Sequence, residues 1–229
     1  MLVDIEKHRT IMVQILKDIF TDISLETSLG FKGGTAVYLL YNLPRFSVDL
    51  DFDLIKPEKA DEVFQKISKI IKSYGKVLEG YSKHFTLFFL LSYEKKSRNI
   101  KVEISKRSFP NHYETKSFLG IPLKVLVKED IFAHKLAALL ERKDIAHRDI
   151  FDIWFFAKNK WDVNKELVEL RTKMKFKEYI NKCLERINKI NEKYMLQGLG
   201  ELLDEKTKKW TKEKLKSEVI FLLKARFTL

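Results

Sequence analysis

Three aspartates stand at alternate positions in the stretch SVDLDFDL: Asp49, Asp51 and Asp53, interleaved with Val48, Leu50, Phe52 and Leu54. A period of two is that of a half-buried strand, and it puts neighbouring carboxylates on one face, roughly 6 to 7 Å apart along the chain. Such a row of like charges raises its own pKa values unless something compensates it. A divalent cation does so, and hard cations such as Mg²⁺ prefer carboxylate and phosphate oxygens, so the pattern points to a metal–nucleotide site. The plainer reading is a solvated acidic strand face. A calcium loop is excluded, because the places that need Gly and the twelfth-position Glu hold Leu54 and Ala60.

A glycine pair precedes the aspartates. Gly33 and Gly34 are predicted to form the turn between a short strand, Leu29 to Lys32, and a helix, Thr35 to Asn42. Glycine lets the backbone approach a ligand closely, and a helix start offers unpaired N–H groups suited to phosphate. A plain structural turn explains the glycines alone equally well. Neither a G-x-x-x-x-G-K loop nor a G-x-G-x-x-G fingerprint is present.

A second constellation lies in EDIFAHKLAALLERKDIAHRDIFDIWFFAKN. Lys135, Leu139 and Arg142 fall at i, i+4 and i+7 on one helix face, and Asp149 and Asp152 share a face of the next helix, which Arg148 helps to open. Taken by spacing alone, these residues suit an interhelical ion-pair network of Lys135 and Arg142 with Asp149 and Asp152. His147-Arg148-Asp149 is not a kinase catalytic loop, since Trp154 stands where that loop needs Asn. His134 and His147 belong to no cluster with metal-ligand spacing.

The elements that must position these residues follow from periodicity. Val3 to Ile23 carries a helical apolar stripe. Pro44 and Arg45 lead into the aspartate strand, with Arg45 either a phosphate contact or a surface residue. Pro57 starts a helix running to about Ser73, which Gly75 ends. Strands are predicted at Val77 to Ser82, Phe85 to Tyr93 and Asn99 to Lys106. In the last, Glu103 projects from the polar side, where it could also simply pair with Lys101 or a cross-strand lysine. Asn111 to Val127 reads as a loop and one short strand. From Glu129 the period is helical, with later segments at Leu167 to Met174, Phe176 to Tyr194 and Thr211 to Arg226. The expected division is therefore an α/β domain over residues 1–127 and a helical domain over 128–229.

The net charge is +12, and from Lys158 onward 19 lysines and arginines face 11 acids, so two-thirds of the surplus sits in the last third. Polyanions are the natural partners for such a surface, although a Lys-rich exterior need not bind anything. Hydrophobic residues at 45% and charged ones at 33% suit a globular chain with an ionised surface. The single Cys183 allows no internal disulfide, suits the cytoplasm and is expected to pack rather than react. Charges at Asp4, Glu6, Lys7 and Arg9 argue against a signal peptide. The apolar run Phe85 to Leu91 is too short for a membrane span. The expectation is a cytoplasmic protein with no membrane partner.

The stretch KGGTAVYLLYNLPRFSVDLDF resembles the first motif of the AbiEii/AbiGii toxin family, within the DNA polymerase β-like nucleotidyltransferase superfamily. The second segment is similar to that family's K-L-x-A-L, R and R-D-x-x-D pattern. The Leu199-Gly200-Glu201-Leu202-Leu203 and Trp210-Thr211-Lys212 region also looks like its C-terminal part. The resemblance implies an α+β fold, a nucleotidyltransferase domain with a mixed sheet followed by a helical domain, with the active site in the cleft between them. It implies Asp49 and Asp51 as ligands of Mg²⁺ (or Mn²⁺), with Glu103 as a third carboxylate; Asp53 lies beyond the shared pair. Gly33, Gly34 and Thr35 would cradle phosphates. Lys135 and Arg148 would contact the nucleotide, with Asp149, or alternatively Asp152, required beside the lysine. The implied reaction moves a nucleoside monophosphate from an NTP to an acceptor and releases pyrophosphate. The acceptor is expected to be a tRNA 3′ end, and the protein a toxin with a cognate antitoxin. A protein acceptor, an RNA-repair role, and a catalytically silent RNA- or partner-binding protein are the alternatives. On the catalytic reading, Asp49→Ala and Lys135→Ala each abolish transfer with the fold intact.

Overall fold

A computed structural model describes residues 4–228. Val3, where the first predicted helix begins, lies outside them. The elements in order are α1 (Ile5–Thr21), α2 (Ile23–Ser28), β1 (Leu29–Lys32), α3 (Gly33–Tyr41), β2 (Asp49–Leu54), α4 (Ala60–Lys72), β3 (Lys76–Lys83), β4 (Thr86–Ser92), β5 (Ile100–Ser105), β6 (Tyr113–Phe118), β7 (Ile121–Leu126), α5 (Lys128–Glu141), α6 (His147–Lys158), α7 (Lys165–Thr172), α8 (Phe176–Asn188) and α9 (Glu205–Phe227). The chain forms two compact units, Met1–Asn42 with Phe46–Leu126, and Leu43–Arg45 with Val127–Leu229. The fold is α+β, with a mixed sheet in the first unit and helices in the second.

The sheet has seven strands in the order β3-β4-β5-β2-β1-β7-β6. β1 runs parallel to β7 and β2 parallel to β5, while the other neighbours are antiparallel. Burial follows the period-two reading. Leu50 and Phe52 of β2, Leu87, Phe89 and Leu91 of β4, and Val102 and Ile104 of β5 are buried, and the residues between them in β4 and β5 are only partly covered. On the buried side α4 packs against β4, where Phe64 stacks on Phe89 at 4.8 Å.

Three departures from the sequence reading have local causes. The first helix breaks at Asp22, whose carboxylate accepts hydrogen bonds from Ser24 and Leu25 N–H and so restarts the chain as α2. The segment read as loop and one strand is a hairpin, β6 and β7. YETKSF hides its strand character because it lies at the sheet edge with no residue fully buried. The C-terminal helix starts at Glu205, not Thr211, capped by Asp204, and α8 ends at Asn188 rather than Tyr194.

His8 holds the entry to the aspartate strand. It is fully buried, with Nε2 3.0 Å from the Val48 carbonyl and Nδ1 2.9 Å from the Tyr93 hydroxyl. The carbonyl can only accept, so Nε2 carries the proton and the Tyr93 hydroxyl donates to Nδ1. Burial lowers the His8 pKa from its ordinary 6.5, outweighing the bond to Val48. The unfolded chain therefore takes up this proton first, and stability falls as pH drops below about 6.5, by at most about 1.4 kcal/mol per pH unit. Thermal melts between pH 5 and 7 should show this slope, and His8→Gln should flatten it.

In the second unit, α6 packs on α9, and α5 on α6, α7 and α8. Trp154, Trp161 and Trp210 all lie here, with Trp154 and Trp210 centroids 4.3 Å apart. Cys183 is fully buried in α8, where burial pushes its thiol up to about 12. Among the described residues no helix is long and apolar enough to cross a membrane.

Candidate active site

Strand register assembles the carboxylates of the first unit. Asp51 pairs with Lys32 of β1 on one side and with Glu103 of β5 on the other, and Asp49 lies opposite Lys101. Directly paired residues share a face, so Asp49, Asp51 and Glu103 project together, Asp51 and Glu103 one strand spacing apart at about 4.8 Å. All three are partly exposed. Lys101 Nζ sits 3.7 Å from Asp49, and among the described residues Glu103 makes no ion pair. The simple Lys101–Glu103 pairing is therefore not what the strand forms.

Asp53 belongs to the same row but does other work. It is 3% exposed and fully engaged: Lys32 Nζ lies 2.5 Å from Oδ1, and the Asn111 amide and Tyr113 hydroxyl donate to Oδ2 at 3.0 and 2.9 Å. The Tyr113 ring lies against Gly30, where any side chain would collide with it. Asp53 thus ties β2 to β1 and to the start of β6.

The glycine turn is fitted to Asp51. Gly33 has φ +80°, and a Cβ there would meet the Asp51 carboxylate oxygen and lie 2.9 Å from Asp51 Cβ. Only glycine allows both the backbone angle and the contact. The helix it opens, α3, has no side-chain cap and no acidic residue in its first turn. Its leading N–H groups, among them those of Gly34 and Thr35, face outward along the helix axis in the manner of an anion site. Thr35 differs from the sequence reading: its hydroxyl is fully buried, bonded to the Asp49 carbonyl and 2.9 Å from the Ser47 hydroxyl. What it has to offer a phosphate is its N–H, while its side chain fixes the backbone of Asp49.

The second unit brings Lys135, Asp149 and Asp152 together. Lys135 Nζ is 2.7 Å from Asp149 Oδ1 and 2.9 Å from Asp152 Oδ2. Arg142 Nε lies 3.3 Å from Asp149 Oδ2, without hydrogen-bond geometry, so that buried oxygen has no hydrogen-bond partner. Arg148 is half-buried in the first turn of α6. The interhelical ion-pair network is thus present in full. Arg45 completes it, and here the surface reading fails: Arg45 is 4% exposed, and its Nε and Nη2 donate to the two oxygens of Asp152 at 2.6 and 2.7 Å. The only sequence sign was a lone arginine beside a proline. Burial pushes the Asp152 carboxyl up, but Arg45 and Lys135 pull it below its ordinary range. Burial likewise lowers Lys135, yet Asp149 and Asp152 raise it overall, so both stay ionised near neutrality.

Among the described residues no three His, Cys, Asp or Glu side chains converge tightly enough to hold a metal ion alone. Mg²⁺ at nucleotide sites is held by one or two carboxylates plus phosphate oxygens, and Asp49 and Asp51 are two partly exposed carboxylates on one strand face. Asp49 and Asp51 provide hard oxygen donors beside a turn in which Asp51 fills the place of a side chain at Gly33.

This fold recurs in solved structures. A crystal structure of a candidate nucleotidyltransferase from Helicobacter pylori aligns with a TM-score of 0.62 at 23% identity, over 96% of this chain and 95% of its own. The crystal structure of JHP933 from Helicobacter pylori aligns with a TM-score of 0.63, also at 23% identity, over 98% and 94%. No curated protein sequence matches. The family model of the AbiEii nucleotidyl transferase toxins of type IV toxin–antitoxin systems matches residues 14–219, and the chain belongs to that family. It is therefore a nucleotidyltransferase of the toxin class, with a nucleotide substrate and an antitoxin partner.

Proposed function

We propose that the protein transfers a nucleoside monophosphate from an NTP to the 3′ end of a tRNA, releasing pyrophosphate and so blocking aminoacylation. The observation that carries this reading is the fit of Gly33 against Asp51. It brings an uncapped helix start, suited to phosphates, directly beside a carboxylate that shares its face with Asp49 and Glu103. In this reading the N–H groups of Gly33, Gly34 and Thr35 bind the leaving phosphates. Asp49 and Asp51 would hold Mg²⁺ or Mn²⁺ together with phosphate oxygens, with Glu103 beside them on the same face. When bound, such an ion neutralises charge on the attacking and leaving oxygens, the main catalytic contribution in phosphoryl-type transfers.

In the second unit three cations, Arg45, Lys135 and Arg142, meet the two buried aspartates Asp149 and Asp152. Lys135, its side chain 16% exposed, offers a compact positive charge to a phosphate oxygen, and Asp149 and Asp152 hold it in place. Arg148 adds a cation at the start of α6. The lysine-rich helices that follow suit an RNA backbone, where phosphate neutralisation dominates affinity.

The test is incubation with Mg²⁺, each labelled NTP in turn and total tRNA, with EDTA as control. Label on RNA that EDTA prevents is the expected result. Label only on protein would move the acceptor to a side chain. No label with tight RNA retention would leave a silent RNA-binding protein, and the proposal would fall.

A further inference from the structure

The carboxylate row does not stop at Glu103. Continuing across the sheet in register, Glu103 pairs with Phe88 of β4, and Phe88 with Tyr81 of β3. Lys32, Asp51, Glu103, Phe88 and Tyr81 thus form one line on one face. The Tyr81 and Phe88 rings stack in parallel, centroids 4.9 Å apart and 15° between planes. Both are only partly covered, whereas their alternate neighbours Leu87 and Phe89 are buried on the other side. The two stacked rings thus lie on the face of the sheet opposite Phe89, which packs against α4.

Two cations lie against aromatic rings of this hairpin. Lys83 Nζ lies 4.4 Å from the Tyr81 centroid. At the tip of the same hairpin, Phe85 is 52% exposed with the Arg107 guanidinium 5.0 Å from its ring. Aromatic faces interleaved with cations form the surface to which single-stranded nucleic acid binds, bases on rings and phosphates on charges.

The order of the row assigns the occupant. The glycine turn lies at the β1 side of Asp51, and Phe88 lies on the β5 side, about two strand spacings or 10 Å from it. In an in-line transfer the leaving phosphates and the attacking hydroxyl occupy opposite sides of the transferred phosphorus. With phosphates at Gly33, the acceptor enters from the side of Glu103 and Phe88. Tyr81 covers the β3-facing side of the Phe88 ring, so its other side is turned toward Glu103. We propose that Phe88, backed by Tyr81, is a stacking subsite for a base near the single-stranded 3′ end of the acceptor RNA. This rests on the transfer reading above for the direction of entry, but its binding component can be measured without transfer.

The experiment uses the full chain and a fluorescently labelled RNA 12-mer with a free 3′ end, followed by anisotropy in Mg²⁺ without NTP, beside a blunt duplex of the same sequence. Phe88→Ala, Phe88→Leu and Tyr81→Ala should each weaken single-strand binding by roughly tenfold, within the range for one lost base stack. Phe88→Trp should restore it, and NTP binding should stay unchanged. Wild-type affinity in folded Phe88→Leu, equal loss in Phe88→Trp, loss confined to NTP, or no single-strand binding by the wild type would each overturn the subsite. If RNA binding depends on the rings while no NTP label is ever transferred, the subsite stands and the transfer reading fails. If transfer occurs with an unchanged KM for RNA in Phe88→Leu, the reverse holds.

Discussion

Asp49→Ala should reduce label transfer by at least a thousandfold while the protein still melts as a folded chain. The loss is expected to exceed the roughly 10²–10³ that one charge-stabilising donor is worth, because on the proposed mechanism the carboxylate holds the ion on which both oxygens depend. The fold should persist because Asp49 is only partly buried, and its Lys101 partner, 36% exposed, returns to solvent at little cost. Asp53→Ala offers the contrast. Its carboxylate holds Lys32, Asn111 and Tyr113, so stability should fall there as well as activity. An Asp49→Ala protein with undiminished transfer would remove the metal site from the mechanism.

Asp152→Ala should destabilise the second unit by about 3–5 kcal/mol, the usual consequence of removing one partner of a buried ion pair. Arg45, 4% exposed, would lose the carboxylate to which its Nε and Nη2 both donate. Denaturant titration followed by tryptophan fluorescence reads this unit alone, since Trp154, Trp161 and Trp210 all belong to it. The sign of the pH dependence follows from the same contacts. The folded Asp152 pKa is below its unfolded 3.8, so its contribution is present above that value and fades as pH falls through the lower folded one. Lys135→Ala is for this reason a weaker test of catalysis than the sequence implied. It strips a cation from two buried aspartates, and lost activity would mix chemistry with stability. Transfer must be scored on variants shown to be folded.

The strand elements were legible where one face is buried and the other polar. Asp49 to Leu54 and Ile100 to Ser105 alternate cleanly, and both strands lie where the alternation put them. The pairing of Asp51 with Glu103 was not readable, because register depends on the partner strand rather than on either sequence alone. Tyr113 to Phe118 escaped because an edge strand buries too little to leave a pattern. Arg45 escaped for a different reason: an arginine is ordinarily solvated, and nothing near it in the chain announces an aspartate 107 positions away. The run LFFLL in β4 is apolar on both sides, and that excess marks Phe88 as facing something other than the core.

The one thiol in the chain sits with no exposed surface inside α8, and its ionisation is suppressed until strongly alkaline pH. Alkylating reagents attack thiolate, so Cys183 can react only in molecules whose helical unit has momentarily opened. The pace of its modification is a built-in clock for that opening, readable by mass spectrometry without introducing any label or mutation.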